Sequence, residues 1–105
     1  MQNMAYNVVL LQSARNGLWE AMEWYNQQSP GLGNELMGEF FEYLKKMPNN
    51  PHRYKYILNP FRRVRLKRFP YLVIFRIDEI RQRVVVAVFW HEKRDPERLE
   101  KVLGR

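Results

Sequence analysis

The chain has 105 residues, with 18 lysines and arginines against 11 acidic residues and a net charge of +7, a length that suits one domain and not two. It contains no cysteine, which excludes a disulfide framework and a cysteine-ligated metal site, and no apolar run nears the roughly 20 residues that cross a bilayer. The N-terminus lacks the basic-then-apolar order of a secretory signal, so the expectation is an unprocessed cytoplasmic protein without metal or cofactor. Its charge favours phosphate-rich or acidic partners by long-range attraction, and nucleic acid and an acidic protein satisfy that equally well.

Met1 to Ala5 read as a frayed end, and the run Tyr-Asn-Val-Val-Leu-Leu from Tyr6 to Leu11 as a first strand. Ser13 is placed to cap a helix from about Ala14 to Gln28, because a serine oxygen can accept from first-turn N–H groups. Ala14, Leu18, Ala21, Met22 and Tyr25 then share one face, while Gly17 weakens the helix. Trp19 and Trp24 lie off that stripe, where they either cover a sheet margin or form an exposed aromatic surface for a partner. Ser29 followed by Pro30 reads as the cap and first residue of a second helix. Leu36, Phe40, Tyr43, Leu44 and Met47 repeat at three and four, with Met37 and Phe41 widening the stripe, so the two helices form an antiparallel hairpin. Pro48-Asn49-Asn50-Pro51 ends it, and His52 to Pro60 crosses as an ordered loop.

From Phe61 onward the pattern changes period. Arg63, Arg65 and Lys67 recur at every second position, so in a strand they share one face while Val64 and Leu66 share the other. This implies one cationic face and one core face. Tyr71 to Ile77 and Arg83 to Trp90 are two more strands, joined by a hairpin turn across Asp78 to Gln82. Val84 to Trp90 is apolar at consecutive positions, which places that strand inside the sheet, buried on both faces. A polar segment from His91 to Pro96 leads to a short amphipathic tail in which Leu99, Val102 and Leu103 are available to pack. The fold expected is α+β, in the order β-α-α-β-β-β, an antiparallel sheet with a helical hairpin packed on one side.

The residues best suited to chemistry are the basic set Arg63, Arg65, Lys67 and Arg76, with His91 and Arg94 just past the last strand. A planar guanidinium grips a phosphate through two parallel bonds, which suits RNA binding or cleavage; a solvated basic face awaiting an acidic protein has the same pattern. His91, with an ordinary pKa of about 6.5, can exchange a proton during attack on a phosphodiester, or it can bond the turn after the strand and fix Arg94. His52 reads as surface. Glu20, Glu23, Glu35, Glu39 and Glu42 are spaced for solvent-exposed helix faces. Gly31-Leu32-Gly33 lacks the preceding strand and following lysine of a phosphate loop, and both serines are better placed as caps than as nucleophiles.

Several stretches together resemble the RelE/ParE superfamily of bacterial toxins from type II toxin-antitoxin modules. They are Ala21-x-x-Trp24-Tyr25, Ser29-Pro30-Gly31-Leu32-Gly33, Pro48-x-x-Pro51, the run from Arg63 to Tyr71, and His91-Glu92-Lys93-Arg94-Asp95-Pro96. The superfamily has two branches: RelE-like members cut messenger RNA in the ribosome, and ParE-like members inhibit DNA gyrase. In the first, the resemblance implies catalytic or RNA-gripping roles for Arg63, Arg65, Arg94 and His91. The arginine that this branch carries early in its next strand falls at Leu72, which cannot stabilise a pentacovalent phosphate. The motifs Phe69-Pro70-Tyr71 and His91-x-x-Arg94-Asp95-Pro96 resemble the ParE-like branch, which is therefore favoured. Arg63, Arg65, Lys67 and Arg76 are then candidates for target binding. Either branch implies a cognate antitoxin, in a hetero-oligomer, with Trp19, Trp24, Arg65 and Arg76 as candidate contacts. The alternatives are ribosome and messenger RNA as targets, or a non-toxic binding module of the same fold.

Overall fold

The computed structural model describes residues 5–104, so the frayed end expected at Met1 to Ala5 lies outside the described residues except for Ala5. Strand β1 (Asn7–Leu10) leads into helices α1 (Gln12–Gln28) and α2 (Leu32–Lys46). Two single-turn 3-10 segments follow, and then strands β2 (Tyr56–Leu58), β3 (Phe61–Arg65), β4 (Tyr71–Asp78) and β5 (Arg83–His91), and a short helix α3 (Pro96–Val102). The sheet order is β1-β5-β4-β3-β2. Its pairs are antiparallel except at β1, which runs parallel to β5 with Val8 beside Val84. The expected α+β plan holds, with this one parallel pair. β5 is internal, as its unbroken apolar run requires, and Val84 to Trp90 are all buried.

Alternation along the strands divides the interior in two. On one face, Leu18, Ala21, Leu36, Phe40 and Met47 of the helical hairpin and its C-terminal turn pack against Val64, Val73, Phe75, Val84, Val86 and Phe89. On the other face Leu99 of α3, with Leu103, covers Phe61, Ile74, Ala87, Val88 and Trp90. The C-terminal tail therefore seals a second, smaller apolar cluster.

α1 lies across the outer margin of β5 beyond the end of β1. The Ser13 hydroxyl donates to the Ala87 carbonyl, and the Phe89 carbonyl oxygen sits 2.7 Å from where a Cβ on Gly17 would stand. This corrects two expectations. Ser13 is inside the helix, whose N-cap is Leu11 without any side-chain bond, because its hydroxyl is engaged by the strand. Gly17, read as a weakness, is what allows helix and strand to approach.

The interhelical turn also departs from expectation. Ser29 closes α1, its N–H donating to the Tyr25 carbonyl at 2.9 Å, and α2 begins only at Leu32, after Gly31 in the left-handed region with φ 93°. The Asn26 side chain accepts from the N–H groups of Gly31 and Gly33 at 3.1 and 2.7 Å, so it does the capping that Ser29 was expected to do. Gly33 lies directly on the Met22 carbonyl, where no side chain fits. A third difference is that the loop from His52 to Pro60 contains β2, paired with β3 through Tyr56 and Arg62. Three residues are too few to carry an alternation signal.

Candidate functional site: a basic rim and two clefts

β3 positions the cations on the face away from the helical hairpin. Arg63 lies opposite Ile74, Arg65 opposite Leu72, and Arg76 two residues along β4 from Ile74, so the three share this face. Lys55 joins them from the lead-in to β2, its carbonyl accepting from the Arg63 N–H at 3.0 Å; sequence reasoning missed it along with β2. The face is not uniformly cationic: Phe61, Ile74 and Trp90 occupy its centre under α3, and the basic residues form a rim around them. Arg65 is held by Glu92, through Nε at 2.6 Å and Nη2 at 3.3 Å. That hydrogen bond and charge push the guanidinium pKa up and hold the Glu92 carboxyl below its ordinary value. Lys55, Arg63 and Arg76 have no ion pair among the described residues and are the available cations of the rim.

Lys67, expected beside Arg63 and Arg65, is elsewhere. β3 stops at Arg65, because the Glu39 carboxylate accepts from the backbone N–H groups of Lys67 and Arg68 and draws the loop over α2. Glu35 adds an ion pair with Arg68. Two of the glutamates read as solvent-exposed thus tie the β3–β4 loop to a helix.

His91 lies on the opposite side of the sheet from Arg65. Its ring meets Tyr71 edge-on at 5.0 Å, and Nδ1 accepts from the Lys93 N–H at 3.1 Å. The Arg94 N–H donates to the His91 carbonyl at 3.0 Å, while the Arg94 guanidinium stacks over Trp90 at 4.2 Å. The bond to the turn after the strand is therefore present. The set Arg63, Arg65, Arg94 and His91 is not gathered at one point: two are on the far face, one is on the helical side, and Arg94 stands at the edge between.

The two tryptophans open onto different clefts. Trp19 is 56% exposed and lines a groove of about 230 Å³ with Leu10, Arg15, Leu18, Met37 and Phe41. Trp24 is 54% exposed and faces a cleft of about 250 Å³ with Glu20, Tyr71, His91 and Arg94. Arg62, on the helical side of β3, stacks over Tyr56 at 4.1 Å and donates to the carbonyls of His52 and Tyr54 at 2.9 and 2.7 Å. Beyond it, Glu79 accepts from the Tyr6 hydroxyl at 2.7 Å and contacts His52 Nε2 at 2.5 Å, joining the entry to β1 to the β4–β5 turn. His52, expected as plain surface, is part of that clamp. No short-range motif announces these contacts, which span 27 and 73 residues. Among the described residues no cluster of three or more metal-ligating side chains exists.

A family model described as the ParE toxin of the type II toxin-antitoxin system parDE matches residues 8–96. Among solved structures, the chromosomal ParDE toxin-antitoxin system from P. aeruginosa superposes with a TM-score of 0.73 at 13% identity, covering 84% of this chain and 97% of that one. The RelBE2 toxin-antitoxin complex from Mycobacterium tuberculosis gives 0.56 at 20% identity, covering 83% and 98%. The isolated E. coli RelE toxin gives 0.56 at 14% identity, covering 95% and 98%. At these identities the structural likeness is one of fold. No curated protein sequence matches the chain.

Proposed function

The chain belongs to the ParE toxin family of type II toxin-antitoxin systems, and from that premise we propose that it arrests growth by binding DNA gyrase through protein contact and is neutralised by a cognate antitoxin. One observation carries the choice of target. The cations of a nuclease site are divided, with Arg63 and Arg65 on one side of the sheet and His91 on the other, and Leu72 faces Arg65 where a further charge is needed. General acid-base catalysis requires the proton-exchanging group within hydrogen-bond reach of the reacting atoms, and electrostatic stabilisation requires cations around the same phosphate. A basic rim around an apolar centre suits an acidic protein surface instead, with Arg63, Arg76 and Lys55 as the free charges.

The antitoxin contact is assigned to the α1–α2 groove. Trp19 and Phe41 are exposed at its margin, Leu10, Leu18 and Met37 form its floor, and Arg15 adds charge, which fits an amphipathic helix with an acidic edge. Arg76 offers a second anchor on the far face, and Arg65 becomes available when Glu92 releases it.

Purified protein added to gyrase and relaxed plasmid is expected to block supercoiling, and His91→Ala to leave that inhibition and growth arrest intact. Cut transcripts in a translating extract, together with unimpaired supercoiling, would overturn this reading in favour of ribosome-dependent RNA cleavage. Harmless expression without antitoxin would favour a non-toxic binding module. Trp19→Ala is expected to weaken antitoxin binding by about 2 kcal/mol, the scale of an interfacial aromatic hot spot; unchanged affinity by calorimetry would remove the groove from the interface.

A further inference from the structure

The cleft beside Trp24 gathers polar groups that the fold itself leaves unused. Glu20 and Trp24 stand one turn apart on α1, with Gly17 and Ala21 forming the floor between them. Tyr71, Phe89 and His91 close the cleft from the end of the sheet, and Arg94 reaches it from the following turn. The tyrosine ring is fixed, lying flat on Phe89 with centroids 4.6 Å apart and planes at 4°.

Where carboxylates and guanidinium groups meet elsewhere on the sheet and its loops they pair, Glu92 with Arg65, Glu35 with Arg68, and Asp78 with Arg81 and Arg83. Here they do not. Among the described residues Glu20 has no ion pair, and Arg94 stacks on Trp90 without meeting a carboxylate. Among the described residues the Tyr71 hydroxyl has no hydrogen-bond partner, and His91 uses Nδ1 on the Lys93 N–H and keeps Nε2 free. Burial, and behind it the Tyr25 hydroxyl and the Glu20 carboxylate, push the Tyr71 phenol up, so Glu20 acts on the same space. A concave aromatic surface with a few convergent, unsatisfied polar groups is the ordinary form of a small-ligand site.

The chemistry of those groups selects the ligand. Exposed Trp24 offers a stacking wall for a planar base, and Arg94 offers a guanidinium for a phosphate. Glu20 is a pure acceptor when ionised, and guanine presents two adjacent N–H donors on its pairing edge, where adenine presents an acceptor ring nitrogen. A volume of about 250 Å³ is on the scale of a single nucleotide. We propose that this cleft binds a guanine mononucleotide, with the base against Trp24, its pairing edge on Glu20 and its phosphate at Arg94. The proposal is independent of the gyrase reading and leaves it standing or falling on its own test.

The test is calorimetric titration of the full chain with GMP, AMP, CMP, UMP, guanosine and inorganic phosphate. GMP is expected to bind about tenfold tighter than AMP, the discrimination that one bidentate contact provides. Glu20→Gln is expected to abolish that preference, Trp24→Leu to weaken GMP about tenfold, a one-base stacking loss, and Arg94→Gln to bring GMP down to the level of guanosine. All three side chains are exposed, and circular dichroism checks that each variant is folded. No saturable binding of GMP, equal binding of GMP and AMP, or phosphate alone binding as tightly as GMP would each overturn the proposal.

Discussion

Single atoms decide how the helical hairpin sits on the sheet. Replacing Gly17 by alanine gains helix propensity, about 1 kcal/mol, but sets a methyl group against the Phe89 carbonyl oxygen, and overpacking costs about 1–3 kcal/mol. The net expectation is a loss, read as a lower urea midpoint. Gly33→Ala is expected to lose more, since a Cβ there would stand 2.1 Å from the Met22 carbonyl oxygen, against 2.7 Å from the Phe89 carbonyl oxygen at Gly17, with Asn26 crowding it as well. The carboxylates predict an acid limb. Asp78 is held below its ordinary pKa first by the Arg81 N–H and then by the guanidinium groups of Arg81 and Arg83. Glu79 is held down by Tyr6 and His52, and Glu92 by Arg65. Groups depressed in the folded state contribute stability that is present above their unfolded values of about 4 and lost as pH falls through the folded ones. Urea midpoints are therefore expected to be level near neutrality and to fall below about pH 5. Asp78→Asn, which keeps the acceptor for the Arg81 N–H, is expected to flatten part of that fall.

Elements stay in place here through a few contacts each. α3 has seven residues, too short to persist alone. It is held by Leu99 against the far face and by Asp95, whose side chain accepts from the Glu97 N–H at 2.9 Å. Leu99→Ala is expected to cost about 3 kcal/mol and Asp95→Ala about 1 kcal/mol in chemical denaturation. The β3–β4 loop depends on Glu39 in the same way. Glu39→Ala leaves the N–H groups of Lys67 and Arg68 without their acceptor, and amide exchange is expected to accelerate at those two positions while β3 keeps its protection. Unchanged exchange there would mean that the loop is held by its own turn.

At the scale of the whole molecule, a net charge of +7 acts on rates of encounter. Association with an acidic antitoxin segment is expected to slow about tenfold between low and high salt, as screening shortens to a few ångströms, whereas dissociation from the apolar α1–α2 groove changes little. Stopped-flow traces across a salt series separate the two. A salt-independent association rate would show that the rim cations do not face the partner.

The alternation Arg63, Val64, Arg65 and the unbroken run from Val84 to Trp90 are local signals, because strand period and burial leave their mark on neighbouring residues. They, with the helical stripes through Leu18 and Leu36, made the β-α-α-β-β-β plan and the two-sidedness of β3 legible from the sequence by itself. The parallel docking of β1 on β5, the paired state of Arg65, the removal of Lys67 to the α2 side and the division of His91 from Arg63 and Arg65 could not be read there. Each depends on which groups meet across tens of residues: Glu92 with Arg65, Glu39 with the Lys67 N–H, Tyr71 with His91. Periodicity names the face a side chain takes, and only the packed chain decides what stands opposite it.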